Sequence, residues 1–213
     1  MHDLIIIGGG EHARVVIEAA RAIPSKWNII GFVDPLPCEE TAARMHVPRL
    51  GGDDTLSRYP NAALVLGIGT TTLNDRRQRA VARIGATPER WAVIAHPGAS
   101  ISPTALVGPG SVVLSGAVVN TGARVGQHCI LNTHTFLDHD VTIGAFVHTA
   151  PGSIVGGGAH VGDGSYLGMG SLIRDHRTLG RTCLVGMGAV VTADFGDDTT
   201  LIGVPARPRG GAR

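Results

Sequence analysis

From Ile101 onward the chain repeats every six residues, and the register does not slip. Cut in sixes it reads ISPTAL, VGPGSV, VLSGAV, VNTGAR, VGQHCI, LNTHTF, LDHDVT, IGAFVH, TAPGSI, VGGGAH and so on to VTADFG. The first position is Ile, Val or Leu in fifteen of sixteen hexads, Thr149 being the exception. Glycine fills the second position in eight, and the fifth is mostly Ala, Ser, Thr or Cys. A strand alternates with period two and a helix with 3.6, so a strict six fits neither. It fits a parallel β-helix, in which three hexads complete one triangular coil. The aliphatic residue points inward, the small fifth residue suits the tight interior, and glycine is expected at corners of positive φ. Composition agrees, since 31 glycines in 213 residues with only 4% aromatics suit a narrow repetitive interior. Cys129 and Cys183 both hold fifth positions three coils apart. At ~4.8 Å per coil they would lie roughly 14 Å from each other, beyond disulfide reach, and are expected as buried free thiols.

The first ninety residues read differently. Leu4 to Ile7 is a buried strand, followed by Gly8-Gly9-Gly10-Glu11-His12 and a helical stretch from Ala13 to Ala22. Asn28 to Val33 and Ala62 to Ile68 read as further strands, and Leu73 to Ile84 as a helix with a basic, exposed face. Alternating strands and helices imply a small parallel sheet. Two domains follow, an α/β Rossmann-like domain over 1–92 and an all-β β-helix over 93–213. Glycines after the first strand let backbone approach a phosphate at a helix N-terminus. Gly8-x-Gly10-x-x-Ala13, with Asp34 about 20 residues on, matches a relaxed dinucleotide fingerprint. The segment has room for about half of a dinucleotide fold, which favours a single nucleotide over NAD. A tight turn without any ligand is the plain alternative, against which His12 at the mouth of the turn counts.

Charge and hydropathy remove several classes. Eighteen basic residues against 17 acidic ones leave a formal charge of +1, with no basic field for nucleic acid or an anionic membrane. The uncharged stretch between Asp140 and Asp163 is broken by six glycines and a proline, and no membrane span is expected. Met-His-Asp-Leu lacks the basic start of a secretory signal. Three widely spaced cysteines suit a reducing compartment, and a cytoplasmic location is expected.

Three segments, IIIGGGEHARVVIE, LNTHTFLDHDVTIGAFVHTAPG and LIGVPARP, together resemble the NeuD/PglD-type sugar acyltransferases over nearly the whole chain. The resemblance implies a left-handed β-helix behind a small nucleotide-binding domain, a homotrimer, and active sites between adjacent β-helices. It implies transfer of acetyl from acetyl-CoA to the 4-amino group of a UDP-linked sugar in one branch or, in the other branch, to a hydroxyl of sialic acid, and here a nucleotide-linked amino sugar is expected. By the same resemblance His139 is the general base and Asp140 the acid that follows it. Asn132 is a polar active-site residue, His148 lies close to the thioester, and His12 and Asp34 belong to the sugar-nucleotide site with Gly8 and Gly10. The chain departs from the family in Ile173-Arg174-Asp175-His176-Arg177 and at His134. Arg177 falls on a small inward position, where burial is costly without a partner.

The chemistry stands on its own terms. Acyl transfer from a thioester to an amine needs a base, a donor for the developing oxyanion, and alignment. A histidine whose tautomer a neighbouring carboxylate holds is a natural base, and His139 lies between Asp138 and Asp140. A surface histidine between two turn aspartates is the plain alternative. One coil after His139 stands Gly157, where a missing side chain leaves room for a thioester and an N–H could face its carbonyl. His148 is half a coil from His139, so the two should meet only between chains of a threefold assembly. Arg174, Arg177, Arg181, Arg207, Arg209 and Arg213 concentrate toward the C-terminus, where Arg181 is assigned to acetyl-CoA; a solvated terminal face explains them equally.

Rival readings use the same scaffold. Gamma-class carbonic anhydrases hold zinc through three histidines from two chains, and His134 and His139 have a spacing that class uses, with His128, His148 and His160 nearby. The third ligand would fall at Gly98, however, with His96 off register, so no metal is expected. A non-enzymatic sugar-nucleotide module would have no need of His139. Serine- or lipid-type acyl transfer would have no need of the α/β domain.

Overall fold

The computed structural model describes residues 1–69 and 75–209. Four parallel strands form the N-terminal sheet: β1 (His2–Ile7), β2 (Trp27–Val33), β3 (Arg49–Gly51) and β4 (Ala63–Leu66), in the order β3-β2-β1-β4. The apolar run Leu4 to Ile7 lies at the centre and is buried on both faces, as a parallel strand between helices requires. Helix α1 (Glu11–Arg21) follows the glycine turn, α2 (Glu39–Met45) precedes β3, and α3 (Arg76–Ile84) follows β4. Leu73 and Asn74 of the expected third helix lie outside the described residues.

Ala92 still hydrogen-bonds to Leu64 of β4, whereas Ile94 already pairs with Val112 of the β-helix. From there the chain winds as a left-handed parallel β-helix. Each two-residue strand pairs with strands one coil before and after, so that Ile130 sits between Val112 and His148. Three faces result. The first carries Ile94, Val112, Ile130, His148, Tyr166 and Leu184, and the second Val118, Phe136, Ile154, Leu172 and Val190. The third carries Leu106, Arg124, Thr142, His160 and Thr178. The second residue of each strand points inward, and Leu131, Leu137, Leu167 and Val185 are fully buried. Thr149, the break in the aliphatic column, bonds through its hydroxyl to Thr135 at 2.9 Å and to the Ile130 carbonyl at 3.2 Å. Cys129 and Cys183 are buried and free.

Glycine has two separate tasks, and only one is conformational. Positive φ falls on the fourth residue of the hexad, as at Gly122 and Gly158, rather than on the second. Second-position glycines are required by stacking: a Cβ on Gly126 would meet backbone atoms of Gly144 and Ala145 at 2.6 Å. Four successive corners place His128, His134, Asp140 and Phe146 in the left-handed region that glycine usually takes. Such strain persists where surroundings over-determine it, and it concentrates at sites of function. Arg177 escapes its inward position. Its guanidinium is partly exposed and lies 3.6 Å from the Asp194 carboxylate.

The two domains share one core. Ala13, Val16, Ile17 and Ala20 of α1 pack with Ile94, Val112 and Leu114 of the first face. The expected exposed basic face of the third helix holds for Arg76, Arg79 and Arg83, but Arg77 is buried against the β-helix.

Candidate active site

The glycine turn is built by neighbours that tolerate no side chain. Gly8 has φ +101, and a Cβ on Gly9 would strike Phe32 at 2.6 Å and Cys38 at 2.7 Å. Asp34, at the end of β2, accepts from the Gly9 N–H and the Leu36 N–H, both at 2.8 Å. Its carboxylate therefore shapes the turn as well as lining the cavity in front of it. That cavity, about 820 Å³, is walled by Gly8, Gly10, His12 and Asp34 on one side, by Arg76, Arg79 and Arg83 on another, and by His148 from the β-helix. Gly10 caps α1 and has open space where a side chain would stand. Bare backbone at a helix start facing three guanidiniums is suited to phosphate oxygens.

His12 stands in the first turn of α1 with its Nε2 enclosed and without a hydrogen-bond partner among the described residues. Burial, and secondarily the Arg77 guanidinium, lower its pKa to about 4, so the ring is neutral near pH 7. Its ring centroid lies 6.3 Å from that of His148. Asn132 Nδ2 is 3.5 Å from His148 Nε2, and Tyr166 meets the His148 ring edge-on at 5.2 Å.

A second centre lies on another edge. His139 projects from the turn between the second and third faces, with half its side chain exposed. Its Nδ1 is 3.0 Å from Asp140 Oδ2, which leaves Nε2 outward. Asp138 Oδ1 accepts the His139 N–H at 2.7 Å and is itself held by Asn120 Nδ2 at 3.3 Å. The hydrogen bond to Asp140, then the charge of Asp138, raise the His139 pKa above its ordinary value. Two glycines seat the pair. A Cβ on Gly122 would collide with Asp140 Oδ1, and one on Gly157 would meet His139 Nε2 at 2.6 Å. The space over Gly157 is thus filled by the imidazole itself, where a thioester was expected. In neighbouring corners the third-position N–H is taken by the preceding side chain, as Thr121 is by Asn120 and His139 by Asp138. Gly156 has no side chain, and the Gly157 N–H has no acceptor among the described residues.

The family model of the PglD N-terminal domain matches residues 3–84. The acetyltransferase domain of PglB from Neisseria gonorrhoeae FA1090, solved with acetyl coenzyme A, is 31% identical with a TM-score of 0.85, over 98% of this chain and 99% of that one. PerB from Caulobacter crescentus, solved with CoA and GDP-perosamine, is 33% identical with a TM-score of 0.85, over 99% and 98%. WeeI from Acinetobacter baumannii AYE, at 21% identity and TM-score 0.79, covers 98% and 100% and shares the fold. No curated protein sequence matches the chain. The chain belongs to the NeuD/PglD-type sugar acyltransferases. It is an acyltransferase.

Within this family member the expected site residues divide into two groups. Gly8, Gly10, His12, Asp34 and His148 line one cavity, with Asn132 beside His148. His139, Asp140 and Gly157 form the other centre, and the two do not meet within one chain. His148, expected near the thioester, faces His12 of its own chain, because the first face of the β-helix is covered by the N-terminal domain. The terminal arginines do not converge. Arg174 and Arg177 flank the edge that carries His139, Arg181 is exposed on the edge between the third and first faces, and Arg207 and Arg209 lie on the C-terminal hairpin. Arg213 lies outside the described residues. His134 and His139 fall on different edges, and among the described residues no three His, Cys, Asp or Glu side chains group as metal ligands. Among the described residues no helix is long and apolar enough to cross a membrane. Sequence reasoning missed Arg77, Tyr166 and Gly122. Only Gly122 had a signal, as the residue one coil before Asp140.

Proposed function

We propose that this enzyme transfers the acetyl group of acetyl-CoA to the amine of a nucleotide-linked amino sugar, at a site shared between chains of a homotrimer. The observation that carries the reading is the His139–Asp140 pair, with Nδ1 bonded and Nε2 presented beside a Gly157 N–H that has no acceptor among the described residues. The N-terminal cavity takes the nucleotide: the glycine turn and Arg76, Arg79 and Arg83 receive its phosphates, and Asn132 and His148 receive the sugar. That acetyl-CoA and GDP-perosamine accompany the related structures supports the two substrate classes.

In the reaction the amine nitrogen attacks the thioester carbonyl while His139 Nε2 takes its proton. Asp140 keeps the other nitrogen as the donor and favours the imidazolium that results. The carbonyl oxygen, now anionic, is received by the Gly157 N–H. Collapse breaks the C–S bond, and the proton on Nε2 passes to the departing sulfur, giving the amide and free CoA. No metal has a part in these steps.

Assembly is supported by the second face. Phe136, Ile154 and Leu172 form an outward apolar column, with Ile154 and Leu172 respectively 42% and 37% exposed. His139 stands at its edge, so a copy seated there would bring a cavity from one chain to the base of another. A contact of this kind is what an unpartnered apolar patch marks.

Two outcomes test the base in place. Gly157→Ala forces the imidazole away, and kcat is expected to fall about 10- to 100-fold, since displacement near 1 Å costs that much, with the circular dichroism unchanged. Asp140→Asn removes the interaction that raises the His139 pKa. A base must be unprotonated, so wild-type kcat/KM should rise with pH through a value above the ordinary histidine pKa of about 6.5, and the variant's midpoint should move down. Thiol release across UDP-, dTDP- and GDP-linked 4-amino sugars plus sialic acid tests the acceptor. Turnover with sialic acid alone would place the enzyme in the hydroxyl branch.

A further inference from the structure

Arg77 is the one strongly buried cation in the described structure, 4% exposed, and the chemistry above does not use it. From α3 its Nη1 donates to the His128 carbonyl at 2.9 Å and its Nη2 donates to the Phe146 carbonyl. These carbonyls belong to the same corner of two successive coils. There His128 and Phe146 stack at 5.0 Å, and Trp91 closes on His128 edge-on at 4.7 Å. Among the described residues no carboxylate lies within ion-pair distance of the guanidinium. A buried charge is ordinarily matched by an opposite one, because partial charges on carbonyls do not neutralise it. Here the ionisable groups coupled to it are His12 and His128, both held neutral with pKa values lowered to about 4, chiefly by burial, and the Cys129 thiol, which burial pushes up to about 12 and so keeps protonated near pH 7. None of the three adds charge of either sign. Burial likewise pulls Arg77 itself down to about 10, which leaves it cationic near pH 7. Its neighbours Arg76, Arg79 and Ala80 line the nucleotide cavity, and so does His12.

We infer that Arg77 is a positioning residue for the nucleotide site, fixing α3 on two coils and lending an unbalanced positive charge to the wall behind the cavity, which a bound diphosphate neutralises. The inference rests on the reading of the cavity as a nucleotide site. It makes Arg77 distinct from Arg76, Arg79 and Arg83, which face the cavity directly and are open to water. A cation in a low-dielectric wall acts on an anion it does not touch, whereas exposed ones are screened.

The charge ladder of a ligand separates this role from scaffolding. Guanosine, GMP and GDP, and the matching uridine series, would be titrated calorimetrically into the wild-type protein and Arg77→Met. GDP or UDP affinity is expected to fall roughly 10-fold or more in the variant, the loss growing with each phosphate. Nucleoside affinity and the KM for acetyl-CoA should stay within about twofold, as the nucleoside carries no charge and acetyl-CoA is assigned to the other centre, beside His139. Arg77→Lys should retain the gain per phosphate, with a lower Tm, since an ammonium cannot fork to both carbonyls. Where the methionine variant does not fold, Arg77→Gln, neutral but still a donor, takes its place. Equal weakening of nucleoside and diphosphate, or no weakening, overturns the inference alone. Failure of the wild-type protein to bind either series removes the reading of the cavity, and the inference with it.

Discussion

Replacing His139 by alanine is expected to lower kcat by about 10²- to 10⁴-fold, the range that loss of a positioned general base produces. The KM for acetyl-CoA should change little, because the imidazole is assigned to the proton of the incoming amine. The side chain is half-exposed on a turn whose backbone is held independently by Asp138 and Asn120, so the coil should survive and the Tm should stay close to wild type. His139→Asn gives the cleaner comparison, since it keeps a polar group above Gly157 without a base. Steady-state rates of thiol release decide the matter. A rate within a few-fold of wild type would mean that alignment of amine and thioester carries the reaction and that His139 is not its base.

The second large effect is expected far from any reacting atom. Ile154→Glu with Leu172→Glu places two carboxylates in the middle of the apolar second face, where a neighbouring chain would have to desolvate them. Both side chains point away from the coil interior, so the substituted chain should fold. Light scattering should then report a monomer, and activity should fall at least about 10³-fold, because the cavity and the His139 pair would no longer be brought into register. A monomer that keeps full activity would refute a site shared between chains.

How much of this was legible beforehand depends on what each feature is made of. The hexad register could be read residue by residue, because inward Val, Ile and Leu with small fifth residues leave one winding that buries them all. The stacking of His139 on Gly157 also followed from counting eighteen. What filled the gap did not, since a missing Cβ offers the same room to a ligand and to a neighbouring imidazole. His148 shows the same limit. Half a coil from His139 was countable, but that the first face is occupied by the chain's own N-terminal domain depends on α1 packing against Ile94 and Leu114. Arg77 was illegible for a related reason. Four arginines in nine residues look like a solvated helix face, and one of them turns inward only because two coil carbonyls stand opposite. The role of second-position glycines was hidden likewise, as a requirement for space between coils leaves the same letter as a requirement for positive φ.

The core that α1 shares with Ile94, Val112 and Leu114 bears on how such enzymes can be recombined. A seam cut between residues 92 and 93 would run through the middle of one hydrophobic cluster. The Arg77 clamp reaches further, to the corners at His128 and Phe146. An exchange of nucleotide preference between relatives by module swapping therefore has its natural joint beyond the corner at Phe146, with the early coils travelling with the α/β domain as a single inherited piece.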